Sequence, residues 1–564
     1  MVVFGSYNAI KTRRFTAFGS VTVILFIICL TVPALGSVRD RFPDPRPATR
    51  AAAVAQVAGE SPASLGCLTP QIEGLADARV GGSAATLQAL AMLQSGHPSG
   101  IGRHAFTPDG TRVSFTDDPS AFDRVAPADL DGDGIPDVVQ HVAEGLTQAR
   151  GLLVDRMRLS APAGLEVVLH ELGAELEGYT VVREDGTTIV LDSSSVAADR
   201  AVRRSAIHQY AHAVAAASGA HMPREWGEAL ATWAVMEIDG LDGVTAALLS
   251  ARLERLGSGL LAGDLELAAG NAVWFAFLKE AYGSFAVSVT VQELAVGGST
   301  AAALDRALGR VSDDDLATAF REFHLWSVLV GPRADRYHFP FAERLAPPSW
   351  ASTTEGLPAL SVQADPAVAA WGATQIRIVP DRSDGGLGLR FEGEFHASWE
   401  VDLLLVDDGG TIRRLALDLT PEGWGEATVP LQDVEEALLL VRSVGSEDGA
   451  SHRYTYAAHR ESGYPLEIAS LRAQEQGGAV DLSWDTLSER ALIGFNVLRR
   501  REGGAAETVV NPVWIPAVGD RDETTSYQFM DRGTEPGESY VYRIQAITGD
   551  GFTSVSEPLV VRRP

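Results

Sequence analysis

The sequence predicts a multidomain protein in which an α+β domain is followed by two all-β sandwich units. Three observations predict it. The chain has 564 residues, too many for one hydrophobic core. Between residues 99 and 348, short strand-like runs precede long helical ones, the order of an α+β domain. From about residue 365, short apolar runs punctuated by Gly, Asp and Pro replace the helices, the texture of β-sandwiches. At 46% hydrophobic and 21% charged residues, the composition is that of folded globular protein. The formal net charge of -28 excludes nucleic acid and anionic membrane surfaces as natural partners, and suits a chain that holds cations.

The N-terminus, residues 1–36, reads as an export signal. Lys11, Arg13 and Arg14 precede an apolar run from Phe15 to Leu35, and Ala34-Leu35-Gly36 offers a small-residue cleavage site. The competing reading is an uncleaved anchor, the chain's one route to a membrane, since the run is almost long enough to span. Gly19, Ser20 and Pro33 favour cleavage. The expected location is secreted or in a cell envelope. Cys29 lies inside the signal and Cys67 is the other cysteine, so the exported chain forms no internal disulfide. Residues 37–98, rich in Ala, Pro, Gly and Ser, read as a linker or a propeptide, with Asp40 to Arg50 as tether and helical apolar spacing from Ala84 to Leu93.

In the 99–348 domain, Leu165 to His170 and Thr188 to Asp192 read as strands. Arg203 to Ser218, Trp226 to Ile238, Asn271 to Tyr282 and Asp313 to Val330 read as helices, with Asp313-Asp314-Asp315 as an N-terminus. In 349–462, Thr374 to Val379, Gly388 to Phe391, Val401 to Val406, Ala437 to Val441 and Arg453 to Tyr456 read as strands of a sandwich. In 463–564, Val480 to Trp484, Phe495 to Arg499 and Tyr540 to Ile544 alternate well, with a turn-rich link from Asp531 to Gly537. This last unit resembles a fibronectin type III domain, which implies that Trp484 is the core tryptophan of its second strand. The same resemblance gives Tyr540 or Tyr542 the tyrosine-corner role.

Candidate chemistry centres on His208-Gln209-Tyr210-Ala211-His212. Two histidines four apart on a helix aim both imidazoles at one point, as in the zinc motif H-E-x-x-H. The residue after the first histidine should be a glutamate that takes a proton from metal-bound water. Here it is Gln209, which hydrogen-bonds but does not accept that proton, and general-base help is worth roughly 10²–10⁴-fold in rate. A catalytic zinc has three protein ligands and one open position. Downstream, Glu225-Trp226-Gly227-Glu228-Ala229-Leu230-Ala231-Thr232-Trp233 resembles the W-x-E-G-x-A-x-W pattern of glutamate-type zinc peptidases, which implies Glu228 as the third ligand, with Glu225 as fallback. His170-Glu171 begins like the motif, but Ala174 stands where its second histidine belongs. His221 lies between the two helices, as a loop histidine or part of the cleft lining.

Upstream, Asp129, Asp131, Asp133 and Asp137 occupy positions 1, 3, 5 and 9 of an EF-hand-like loop. Gly134 sits at the sharp turn and Ile135 offers a backbone carbonyl, but Gln140 replaces the bidentate glutamate at position 12. Calcium is the expected ion, at lower affinity than a complete loop gives.

The order of that acidic loop, Gly178-Tyr179-Thr180, Leu191-Asp192, the histidine helix and Trp226-Gly227-Glu228 resembles secreted bacterial metallopeptidases of the gluzincin superfamily, of the type found in myxobacteria. The tail agrees, because such proteins commonly end in β-sandwich and fibronectin-like modules. The resemblance covers most of 99–348 and implies a gluzincin-like fold, with zinc on His208, His212 and Glu228 and a peptide or protein as substrate. Ala229 departs from the pattern's glycine, the spacing from His212 to Glu228 is slightly short, and Gln209 removes the base. The expectation is therefore a metallopeptidase homologue with weak or lost peptide hydrolysis. The alternative is a non-catalytic envelope protein that binds or adheres, its cell-surface or extracellular partners meeting the β-domains.

Overall fold

The computed structural model describes Cys67, Thr69, Ile72 and residues 102–563, except 173–175, 194–198, 220, 364–366, 381–385, 408, 432–433, 446–449, 461–467, 487–488, 490–491, 505, 520–523 and 549–552. The export signal with Cys29, the Asp40 to Arg50 tether and the Ala84 to Leu93 helix lie outside the described residues. No described helix is long and apolar enough to cross a membrane.

The first domain opens with β1 (Arg103–Phe106) and β2 (Arg112–Phe115), then α1 (Asp137–Arg150) and its π-helical extension to Arg156. Next come β3 (Glu166–His170), β4 (Gly178–Arg183) and β5 (Gly186–Asp192). These strands form one sheet in the order β1-β2-β3-β5-β4, parallel across β2–β3 and β3–β5 and antiparallel at both margins. β3 and β5 are buried almost throughout, as their unbroken apolar runs require. His170 ends β3, so His170-Glu171 lies at a strand end and not on a helix.

Helices follow: α2 (Asp199–Ser218), α3 (Arg224–Asp239), α4 (Gly243–Glu254), α5 (Ala272–Tyr282), α6 (Ser284–Val296), α7 (Thr300–Leu308) and α8 (Leu316–Val328). Asp315 caps α8 by accepting from Thr318 N at 2.8 Å, which satisfies a backbone donor the first turn leaves free. Trp226 and Trp233 of α3 pack on Phe275 of α5, and Trp274 packs on Phe323 of α8. All five rings are buried, and burial on this scale contributes roughly 2–3 kcal/mol per ring. Gly145 lets α1 meet α2 closely, since a Cβ there would stand 2.6 Å from Arg203 O.

The first β-unit comprises β6 (Ser352–Glu355), β7 (Ala359–Gln363), β8 (Val368–Ala369), β9 (Gly372–Val379), β10 (Gly386–Gly393), β11 (Ser398–Asp407), β12 (Ile412–Ala416), β13 (Trp424–Pro430), β14 (Val434–Val444), β15 (Ser451–His452) and β16 (Tyr454–Arg460). One sheet runs β13-β10-β16-β7 and the other β12-β11-β14-β9-β6. Phe391, Trp399, Leu403, Leu439 and Tyr454 fill the space between them. The second sheet is buried on both faces. Its outer face, through Leu404, Leu438 and Leu440, packs against Val328 and Leu329 at the end of α8.

The last unit comprises β17 (Ile468–Gln476), β18 (Ala479–Thr486), β19 (Leu492–Arg501), β20 (Thr508–Val509), β21 (Ile515–Pro516), β22 (Thr525–Asp531), β23 (Ser539–Thr548), β24 (Thr553–Val555) and β25 (Leu559–Arg562). A sheet β17-β18-β22 faces one built on β19 and β23. Trp484 on β18 is buried and stacks on Tyr527. Tyr540 accepts a hydrogen bond at 3.0 Å from Glu535 N, five residues upstream. That bond defines a tyrosine corner and assigns the role to Tyr540, while Tyr542 donates to the Asp531 carboxylate at 2.8 Å. The strand order and these two side chains make the unit fibronectin type III-like.

Candidate metal centre

Helices α2 and α3 lie side by side, and a buried carboxylate fixes their relation. Asp239, at the end of α3, accepts from Arg200 at 2.7 Å, from Arg204 at 3.4 Å and from Arg203. With that end pinned, the middle of α3 faces the middle of α2. His208 and His212 then share one side of α2, as their spacing requires, and Glu228 of α3 points between them.

The donors converge tightly. His212 Nε2 lies 3.2 Å from His208 Nε2, 3.1 Å from Glu228 Oε2 and 3.5 Å from Cys67 Sγ. His208 Nε2 lies 3.5 Å from Glu228 Oε1. An imidazole nitrogen carries either one proton or one lone pair, so His212 Nε2 cannot serve three neighbours at once. Glu228 is fully buried, and its Oε1 has no hydrogen-bond donor. Cys67, His208, His212 and Glu228 offer ligand atoms that all lie within 4.8 Å of one another. In a tetrahedral zinc site two nitrogen or oxygen ligands stand about 3.3 Å apart and a sulfur–nitrogen pair about 3.6 Å. The donor set and its spacings fit zinc.

Charge coupling within the cluster is strong. Burial pushes the Cys67 thiol up, as does Glu228, but the imidazoles of His212 and His208 outweigh them and bring it down to about 6. Burial opposes the charged form of His208, yet the Glu228 carboxylate and then Cys67 raise it to about 9. His212 is raised in the same sense, against burial, by Cys67 and Glu228. Glu228 is held well below the ordinary carboxylate range, against burial, by His208 and His212.

Gln209 is engaged elsewhere. Its Oε1 accepts from Thr69 at 3.0 Å and from Thr180 at 2.9 Å, and its Nε2 donates to Cys67 Sγ at 3.2 Å. Glu225, the fallback ligand, stands outside the cluster, its pKa raised by burial. His221 is exposed in a turn against Gly297 and does not line the centre. Sequence reasoning missed Cys67. The available signal was that it is the lone cysteine left beyond the export signal. A cleft of about 340 Å³ reaches the centre past Glu177, Arg204, Ser205 and Thr232, with Cys67, His208 and Gln209 on its wall.

The acidic loop forms the turn its spacing implies. Asp129 accepts from Gly132 N and Gly134 N, Asp133 from Ile135 N, and Asp137 from Leu130 N. Gly132 and Gly134 have φ of 74° and 85°, which glycine alone adopts readily. Asp129, Asp131 and Asp133 bring carboxylate oxygens together, and Gln140, at position 12, donates to Asp131 at 3.0 Å.

No protein-family model matches the chain, and no curated protein matches it. Among solved structures, a myokine is 21% identical over 18% of this chain and 98% of its own, with a TM-score of 0.14. An Fn3-like protein from Clostridium thermocellum is 18% identical over 18% of this chain and 94% of its own, with a TM-score of 0.14. The FN1–FN3 domains of chicken CNTN1 are 11% identical over 29% of this chain and 54% of their own, with a TM-score of 0.15.

Proposed function

We propose that this chain is an exported gluzincin-like metallopeptidase homologue that keeps a zinc centre and has lost peptide hydrolysis, its β-units serving attachment or recognition of a cell-surface or extracellular partner. The observation that carries the reading is the Gln209 amide. Both its ends are bonded to Thr69, Thr180 and Cys67, and an amide takes no proton from a metal-bound water near neutral pH. His208, His212 and Glu228 would hold the ion. Zinc, when bound, supplies Lewis acidity. Around it, the chain's own residues orient two imidazoles and leave no carboxylate in the base position. The acidic loop at Asp129, Asp131, Asp133, the Ile135 carbonyl and Asp137 would take calcium as a structural ion.

Metal analysis of the purified full chain tests this. One zinc per chain, with no casein cleavage above a chelated control, is expected. Substoichiometric zinc would remove the centre. Cleavage abolished by chelation and restored by zinc would instead establish a working hydrolase, as the three-ligand set alone allows.

A further inference from the structure

We propose that Cys67 is the fourth ligand of the centre, and that Gln209 is the amide donor that supports its thiolate. The inference rests on the zinc reading above and goes beyond it. The Cys67 sulfur then fills the coordination position that a catalytic zinc leaves to water.

Four observations carry it. First, Cys67 is 1% exposed, with its sulfur 3.5 Å from His212 Nε2 and in the same donor group as His208 and Glu228. Zinc sites with four protein ligands including cysteine are closed, structural ones, and those with three are open. Second, the sulfur is held in place by backbone and side chain together. Cys67 pairs with Gly178 as a parallel bridge on β4, a margin strand of the sheet. Two residues on, Thr69 accepts from Thr180 N at 2.9 Å and donates to Gln209. Thr69 and Ile72 are buried along with Cys67. The close fit at Gly178, where a Cβ would meet Val190 O at 2.7 Å, reserves this place for glycine.

Third, the charges balance. A thiolate and the Glu228 carboxylate together offset a divalent ion, with both imidazoles neutral. A glutamate at 209 would add an uncompensated charge to a fully buried site, which is costly. An amide instead donates a hydrogen bond to sulfur, as outer partners of metal ligands commonly do. The substitution that removes the base is thus the one a cysteine ligand calls for. Fourth, Glu228 Oε1, wholly buried and without a donor, faces the same point from α3. On metal binding the cluster gives up its remaining protons to solvent, leaving Cys67 as thiolate and both imidazoles neutral.

The full chain, stripped and reloaded with zinc alone or cobalt(II) alone, tests this. The wild type should bind one equivalent. X-ray absorption of the zinc form should contain one sulfur at about 2.3 Å, and the cobalt form should show a thiolate charge-transfer band in the near ultraviolet. C67S should lose both signals while still binding metal at least tenfold more weakly. Q209E should keep the sulfur signal but weaken binding by roughly 10–100-fold. Alkylation of Cys67, followed on its own peptide by mass spectrometry, should be blocked by zinc and restored by chelation; this measurement needs no variant. One equivalent bound without a sulfur signal, or Cys67 alkylated equally with and without zinc, would overturn the ligand while leaving the metal centre standing. No metal bound would overturn both.

Discussion

Among the described residues, Asp402 and Glu228 are carboxylates wholly buried among ionisable partners, and they are neutralised in different ways. Asp402 of β11 lies where the sandwich meets α8. It accepts from Arg321 at 3.0 Å, from Arg414 at 3.0 Å and from Arg442 at 2.5 Å. These guanidiniums hold it well below the usual carboxylate range, against burial. Glu228 has only imidazoles and a thiol about it, and one of its oxygens has no donor. A guanidinium brings its own fixed charge and its own protons. Two imidazoles and a thiol can give up their protons and present lone pairs instead. The first arrangement is complete as protein, and the second, on the reading proposed above, is completed by a cation. Buried acidity in itself therefore indicates nothing about metal, whereas the count of protons against lone pairs does.

That comparison can be broken at several points. The largest effect belongs to Asp402. D402A strands Arg442, itself fully buried, and should cost on the order of 3–5 kcal/mol, read as a fall in the denaturant midpoint. Added zinc should not restore it. Chelation should do the reverse, destabilising the wild type by about 2.7 kcal/mol relative to zinc at a hundredfold its dissociation constant. Differential scanning calorimetry would register this as a lower Tm, and equal Tm values would refute a bound structural ion.

A smaller effect follows from His324, which lies 3.5 Å from Arg442 and 3.3 Å from Gln375. Burial, reinforced by the Arg442 charge, lowers its pKa to about 3. In the unfolded chain a histidine takes its proton near pH 6.5 or about there. Its neutral form thus contributes fully above about pH 6.5, and the contribution falls as pH drops toward 3, by about 1.4 kcal/mol per unit. H324Q should flatten that slope, so the stability of the wild type relative to the variant should fall by about 2 kcal/mol between pH 7 and pH 5 in urea titrations. A pH-independent difference would show that His324 is charged when folded. The smallest effect lies farthest away. Y540F removes the acceptor of Glu535 N and should cost about 1 kcal/mol, confined to the last unit and independent of both zinc and pH near neutrality.

What could be read beforehand divides along the same physical line. His208, His212 and Glu228 were legible because helix periodicity fixes where residues four apart point, and a tryptophan-flanked glutamate marks the facing helix. Trp484 was legible because a fibronectin-like unit needs one core tryptophan, and its corner tyrosine was legible only as one of the pair Tyr540 and Tyr542. Cys67 was not, because a single cysteine in an Ala-, Pro- and Gly-rich stretch has no local pattern. Its partner lies 145 residues away in sequence. Asp402 was hidden for a related reason. The run Val401 to Val406 is apolar on both faces apart from that one residue, which signals a strand covered on two sides. Nothing local says that α8 supplies the second cover. Helices α4, α6 and α7 are absent from the sequence reading, which names only the helices around them.

The seam between α8 and the first sandwich also has a mechanical meaning. Arg321 and Asp402, Arg333 and Glu436, and the leucines around Val328 and Leu329 clamp the two together over both charge and oil. A tug on β11 or β14 from an attached surface would run straight into the helical layer, not be absorbed by a slack hinge. The first sandwich is accordingly a buttress rather than a detachable accessory, and a chain cut at residue 348 should precipitate with its leucine-facing side laid bare.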